Sequence, residues 1–216
     1  VLVGDFIYSR AFQILVQIGD MRIMKIIADT TNKIAEGEVL QLITKNNPNS
    51  TEQNYLQVIE NKTAILFQAA AQCGAILGEA VSAVEDSLKR FGMHLGTAFQ
   101  LVDDVLDYDG DTQAMGKNIG DDLAEGKPTL PLIYAMQHAN EEQLATIRQG
   151  LKDQAVSEQL LEEVILIVRQ SGALDYTRQL AQQQADAAQQ CLQVITDSKY
   201  RDALQSMVEF SIERSS

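Results

Sequence analysis

Basic residues are scarce in this chain. Seventeen Lys and Arg stand against 30 Asp and Glu, a net charge of −13 over 216 residues. Nucleic acid is thereby excluded as a partner, because phosphate-backbone binding needs clustered Lys and Arg. Small anionic ligands are not excluded; a few well-placed cations or a metal can hold them. Cysteine is nearly absent: Cys73 and Cys191 stand alone, without a CxxC pair, which excludes a disulfide framework and a zinc site. Two free thiols suit a reducing compartment, and a cytoplasmic protein without a secretory leader is expected. There are only three prolines, Pro48, Pro128 and Pro131. No apolar run is long enough to span a bilayer. The richest, "AILFQAAAQCGAILG" at 64–78, carries Gln68 and Gln72 and falls short of the roughly 20 residues required.

What is present is helical periodicity. Apolar residues make up 45% of the chain, enough for a sizeable core. Val3, Ile7, Ala11, Ile14 and Ile18 recur at spacings of three and four, predicting a helix that ends at Gly19 and Asp20. A second helix is expected from about Met21 to Thr44, stopped by "KNNPNS". Ser50 and Gln53 read as a capping box opening a third, which runs to about Gly78. A fourth runs from about Val81 to Asp109. Asn140, Ser157 and Ser198 are candidate N-caps for later helices, and 160–170 and 178–195 read as helical segments. No strand alternation or internal repeat is visible. An all-α single domain over residues 1–216 is expected.

The fourth helix carries an anomaly. "AFQLVDDVLDYDGD" at 98–111 holds five aspartates, three of which, Asp103, Asp104 and Asp107, interrupt an apolar stretch. Residues three and four apart share a helix face, so Gln100, Asp103, Asp104 and Asp107 occupy neighbouring positions on one surface. Uncompensated carboxylates beside Phe99, Leu101, Val102, Val105 and Leu106 would be costly. No Lys or Arg lies between Arg90 and Lys117 to neutralise them. A divalent cation fits better. Carboxylates on one face, with positions left for water and phosphate oxygens, suit Mg²⁺.

The segment "GDTQAMGKNIGDDLAEGKPTLP" at 110–131 reads as a loop, long enough to be functional. Lys117 and Lys127 each follow a glycine, so backbone can approach a ligand closely. Two lysines after a carboxylate cluster suit a diphosphate with metal on one side and ammonium groups on the other. A P-loop is excluded, since five residues separate Gly120 from Gly126 and Pro128 follows Lys127. "DYDGD" lacks the spacing of a calcium loop. Gly37, inside a predicted helix, costs about 1 kcal/mol relative to Ala, which points to close packing or ligand approach.

In order along the chain, "GDFIYSRAF", "IAEGEVLQL", "KTAILF", "GTAFQLVDDVLDY", "GKNIGDDLAEGKPTLPLIYA" and "ADAAQQCL" resemble the trans-isoprenyl diphosphate synthases, the polyprenyl synthetase family. Within it, the sequence is most similar to the bacterial long-chain members that make an octaprenyl chain for the ubiquinone side chain. The resemblance implies a helical bundle around a deep cavity, a homodimer, and up to three Mg²⁺ (or Mn²⁺) between two facing aspartate-rich motifs. It implies that an allylic diphosphate ionises, that isopentenyl diphosphate attacks the cation, and that a trans-polyprenyl diphosphate results. Carried over, it makes Asp103, Asp104, Asp107 and Asp122 the metal group. It gives Lys62, Lys117 and Lys127 the diphosphate, sets Thr63 and Gln100 near the reacting carbons, and puts Gln41 at the border of the substrate site.

The family's first aspartate-rich motif and its isopentenyl-diphosphate arginines would lie upstream of "GDFIYSRAF". The chain is therefore expected to be the C-terminal two-thirds of a larger catalytic domain. Two alternatives stay open: a non-catalytic subunit or inactive fragment of a heteromeric synthase, and a terpene cyclase. The "GK…GK" loop favours elongation over cyclisation.

Overall fold

The periodicities turn into helices whose ends are set by local chemistry. The computed structural model describes residues 1–109, 119–152 and 156–214. Helix α1 spans Leu2–Ile18 and ends at Gly19, in the left-handed region at φ 72°. Asp20 caps α2, Met21–Thr44, by accepting from the backbone N–H groups of Arg22 and Ile23. The apolar stripe expected for α1 does not turn inward: Val3, Ile7, Ile14 and Ile18 are exposed, and α1 instead buries Leu15.

The third helical run departs from expectation in two ways. Its cap is Thr51, whose side chain accepts from Asn54 N–H, one residue beyond the expected Ser50. Helix α3, Glu52–Ile59, then passes through a π-helical turn, Glu60–Ala64, into α4, Ile65–Leu77. Periodicity does not reveal a single wider turn, because the apolar positions on either side remain three and four apart.

Helix α5, Ser82–Asp109, is the axis of the fold. Its N-terminal half supplies Phe91 and Leu95 to a cluster with Ala185, Ala188, Leu192 and Val208. Its C-terminal half supplies Leu101, Val105 and Tyr108 to a larger core with Leu132, Ile147, Val164 and Val168. The segment expected to be all loop contains a short helix, α6, Asp121–Ala124. Residues 110–118, with Lys117, lie outside the described part.

Helices α7 (Leu130–His138), α8 (Glu141–Lys152), α9 (Glu158–Gln170), α10 (Ala173–Cys191) and α11 (Lys199–Glu213) complete the order. Asn140 and Gln143 exchange side-chain to backbone hydrogen bonds at the start of α8. Ser157 and Ser198 cap α9 and α11. Small residues on α10, Ala181, Ala185 and Ala188, are buried and let it lie close along α5. The described residues contain no strand, so the chain is all-α. None of their helices is long and apolar enough to cross a membrane.

Candidate active site

Helices α2, α3, α5 and α6, the π turn and the segment after α6 converge on one cavity of about 340 Å³. It is lined by Gln41, Lys62, Thr63, Gln100, Asp103, Asp104, Asp107, Asp122 and Lys127. Every expected site residue that lies in the described part is thus brought to a single place. Lys117 lies outside it.

The π turn presents Lys62 and Thr63. An i→i+5 turn accommodates one extra residue and re-aims the side chains it carries. It is held from both sides by glycine contacts. A Cβ on Gly37 of α2 would stand 2.9 Å from the Lys62 backbone nitrogen, and one on Gly96 of α5 would stand 2.6 Å from Ala64 Cα. Close packing is therefore the reason for a glycine inside α2. Lys62 Nζ donates to Gln41 Oε1 at 2.6 Å and pairs with Glu38 at 3.2 Å.

The loop is tied to the end of α5. Gly120 N–H donates to the Asp107 carbonyl at 2.8 Å, and Asp122 N–H reaches Asp107 Oδ1 at 3.4 Å. Lys127 Nζ donates to Asp122 Oδ1 and Glu125 Oε2, both at 2.8 Å. Burial works against the charge on Lys127, but these two hydrogen bonds and the carboxylate charges together push its pKa above the usual lysine range. Gly126, at φ +73°, admits no side chain: a Cβ there would fall 1.7 Å from Asn46 Oδ1.

The aspartates occupy unlike environments. Asp104 is 2% exposed, accepting from the Tyr55 hydroxyl at 2.6 Å and from Gln100 Nε2 at 2.9 Å. Burial, then the charge of Asp122, pushes its carboxyl up to about 8, with the Tyr55 and Gln100 hydrogen bonds opposing. Asp107 is pushed up to about 7, first by burial and then by Asp122. Its Oδ2 is buried without a hydrogen-bond partner among the described residues. Asp103 also lines the cavity, one helical turn before Asp107. The excess of carboxylates and the orphaned oxygen suit a bound cation. Among the described residues, no three carboxylate, His or Cys groups converge on one preformed metal position. An ion held here would take much of its shell from water and ligand oxygens, as Mg²⁺ does.

Sequence reasoning missed Tyr55, Glu38 and Glu125. Tyr55 looks like an ordinary core aromatic beside Leu56, Val58 and Ile59, and only its hydroxyl hinted at a buried partner. Glu38 and Glu125 look like solvated surface charge.

An all-helical fold whose cavity sets a carboxylate-bearing helix against lysines on two other elements defines an isoprenoid-synthase-type protein. The polyprenyl synthetase family model matches residues 1–168, and the chain belongs to that family. It is 49% identical to octaprenyl diphosphate synthase of Haemophilus influenzae over 214 residues, covering 99% of this chain and 65% of that protein. It is 48% identical to the Escherichia coli octaprenyl diphosphate synthase, covering 99% and 66%. The crystal structure of a polyprenyl synthase from Caulobacter crescentus, complexed with calcium and isoprenyl diphosphate, superposes with a TM-score of 0.95 at 38% identity. That match covers 100% of this chain and 66% of the other. The chain thus spans about 65% of the length of the curated relatives it matches.

Proposed function

We propose that the protein carrying this chain is a prenyltransferase. It condenses isopentenyl diphosphate with an allylic diphosphate of the farnesyl type into a long trans-polyprenyl diphosphate, octaprenyl by kinship. The observation that carries this reading is the cavity itself, where Asp103, Asp107 and Asp122 share one space with Lys62 and Lys127.

Lys62 and Lys127 bind the diphosphate of the allylic substrate and balance the charge that grows on it as the leaving group. Thr63 and Gln100 place oxygen atoms beside the carbon that becomes cationic. Val58, Ile59, Leu106 and Ile119 line the same cavity and keep water from the cation. Gln41 holds the Lys62 ammonium group in place. Mg²⁺, when bound through Asp103, Asp107 and Asp122, supplies Lewis-acid stabilisation of the diphosphate. Asp104 stands behind them, hydrogen-bonded to Tyr55 and Gln100. Lys117 belongs to the diphosphate group in this reading. We further propose a homodimeric, cytoplasmic enzyme whose catalytic domain extends beyond the 216 residues.

The test is an elongation assay of the full-length protein with farnesyl diphosphate, isopentenyl diphosphate and Mg²⁺. Long prenyl diphosphates are the expected product. Hydrocarbons would make it a cyclase, and silence until a second polypeptide is added would make it a subunit.

A further inference from the structure

The carboxylates of α5 form two rows. Asp103 and Asp107, four residues apart, lie along one line of the helix; Gln100 and Asp104, also four apart, lie along the next. The two rows have different partners. Asp107 keeps a buried oxygen with no hydrogen-bond partner among the described residues. Asp104 has both of its oxygens taken, one by Tyr55 of α3 and one by Gln100. A carboxylate 2% exposed and already accepting at both oxygens is satisfied without a metal.

The Gln100–Asp104 row continues into the π turn. Gln100 Nε2 donates to Asp104, so its amide oxygen faces the other way, and Thr63 Oγ1 donates to that oxygen at 3.2 Å. A chain of four side chains thus runs from α3 through α5 to the π turn: Tyr55, Asp104, Gln100, Thr63. A glutamine amide has two ends of opposite polarity, and Asp104 decides which end points where. With Nε2 occupied, the amide oxygen is the end of Gln100 that meets Thr63. Both residues line the cavity beside Lys62.

We propose that Tyr55 and Asp104 are a positioning pair: they fix the polarity of the Gln100–Thr63 relay so that its oxygens face the cation formed during prenyl transfer, and Asp104 is not a metal ligand. This rests on the prenyl-transfer reading. Tyr55 keeps Asp104 in place from the buried side, and Asp104 orients Gln100. Asparagine at position 104 offers an NH₂ group that can turn toward Gln100 and reverse the relay, presenting hydrogens where oxygens stood.

The experiment compares Tyr55→Phe, Asp104→Asn and Asp103→Asn in the full-length protein. Tyr55→Phe and Asp104→Asn are each expected to lower kcat about tenfold, in line with the penalty for slight misorientation of reacting groups, while KM for both diphosphates stays within about twofold. The double variant is expected to lose little more than Asp104→Asn alone. In a second arm, Mn²⁺ is titrated in the presence of inorganic pyrophosphate and followed by electron paramagnetic resonance. Asp104→Asn should keep its affinity within about threefold, whereas Asp103→Asn should lose tenfold or more. A third arm follows the Gln100 side-chain amide in the metal-free protein by nitrogen-15 NMR, where Asp104→Asn and Tyr55→Phe should both shift it. Equal loss of Mn²⁺ affinity in Asp104→Asn and Asp103→Asn would make Asp104 a ligand and overturn the proposal. So would unchanged kcat in both positioning variants, or a Gln100 amide that neither of them moves. If the unaltered protein elongates nothing, the prenyl-transfer reading falls, and the Mn²⁺ and amide arms still decide what Asp104 does.

Discussion

Gly37 of α2 and Lys62 of the π turn are in backbone contact: a methyl group on Gly37 would stand 2.9 Å from the Lys62 nitrogen. Real Cβ atoms do not approach backbone so closely, and backbone cannot swing aside as a side chain can. The contact fixes where Lys62 starts and hence where its ammonium group reaches. Gly37→Ala is therefore expected to displace the π turn. Overpacking of this kind costs about 1–3 kcal/mol, and a displacement of about 1 Å at the lysine is expected to lower kcat about 100-fold. Thermal unfolding and steady-state kinetics of the full-length variant check both.

Gly126 and Asn46 make a second such pair. Gly126 has φ +73° and no room for a Cβ against Asn46 Oδ1, while Asn46 N–H donates to the Gly126 carbonyl at 2.8 Å. Gly126→Ala is expected to destabilise by about 2 kcal/mol or more, from left-handed strain plus the clash. Asn46 itself sits at φ 58°, where glycine is comfortable. Adding Asn46→Gly should remove the clash and recover part of the loss, leaving the strain. Strictly additive losses in chemical denaturation would show that the two residues do not compete for this space.

The aspartates make a pH prediction. In the unfolded chain an aspartate loses its proton near pH 3.9. In the folded, metal-free protein Asp107 holds its proton to about 7 and Asp104 to about 8. Between those limits the folded state binds more protons, so these two groups favour folding most below pH 4 and lose that contribution as pH rises to about 8. With a chelator present, the melting temperature is expected to fall by about 5 °C or more between pH 5.5 and 8.5. Mg²⁺ with pyrophosphate should flatten the slope by binding the ionised folded form. A chelated protein that grows more stable across this range would contradict the burial of these carboxyls.

Asp103 tests the metal directly. Asp103→Ala in the full-length protein is expected to reduce turnover by about three orders of magnitude or more, with the helical circular dichroism unchanged, because it removes a ligand without touching the core. Near-normal turnover would remove Asp103 from the metal group.

The long helices were legible because their determinants are local. Asp20, Ser157 and Ser198 cap with their own side chains within three residues, and the three-and-four spacing of α5 survives every aspartate inserted into it. The candidate site was legible where charge contradicted its surroundings: Asp103, Asp104 and Asp107 in an apolar helix pointed to a cation, and the three line one cavity. Near neighbours decided less where two candidates adjoin. Ser50 and Thr51 both can cap, and the choice of Thr51 leaves Ser50 buried at the cavity wall. A π turn leaves no mark on apolar spacing, so the aim of Lys62 and Thr63 was invisible.

Helix limits, the all-α class and the clustering of carboxylates along α5 follow from interactions spanning a few residues, which a linear pattern records. The pairing of Tyr55 with Asp104, 49 positions on, does not. Nor does the contact of Gly37 with Lys62, or the engagement of Lys62 by Gln41. Those depend on how helices pack, and packing is set by the steric fit of faces whose sequences carry no mark of their partners. The chain declared that negative charge would gather in one place; only the tertiary arrangement separated the row of Asp103 and Asp107 from the row of Gln100 and Asp104, because burial and hydrogen-bond donors arrive from other elements of the fold.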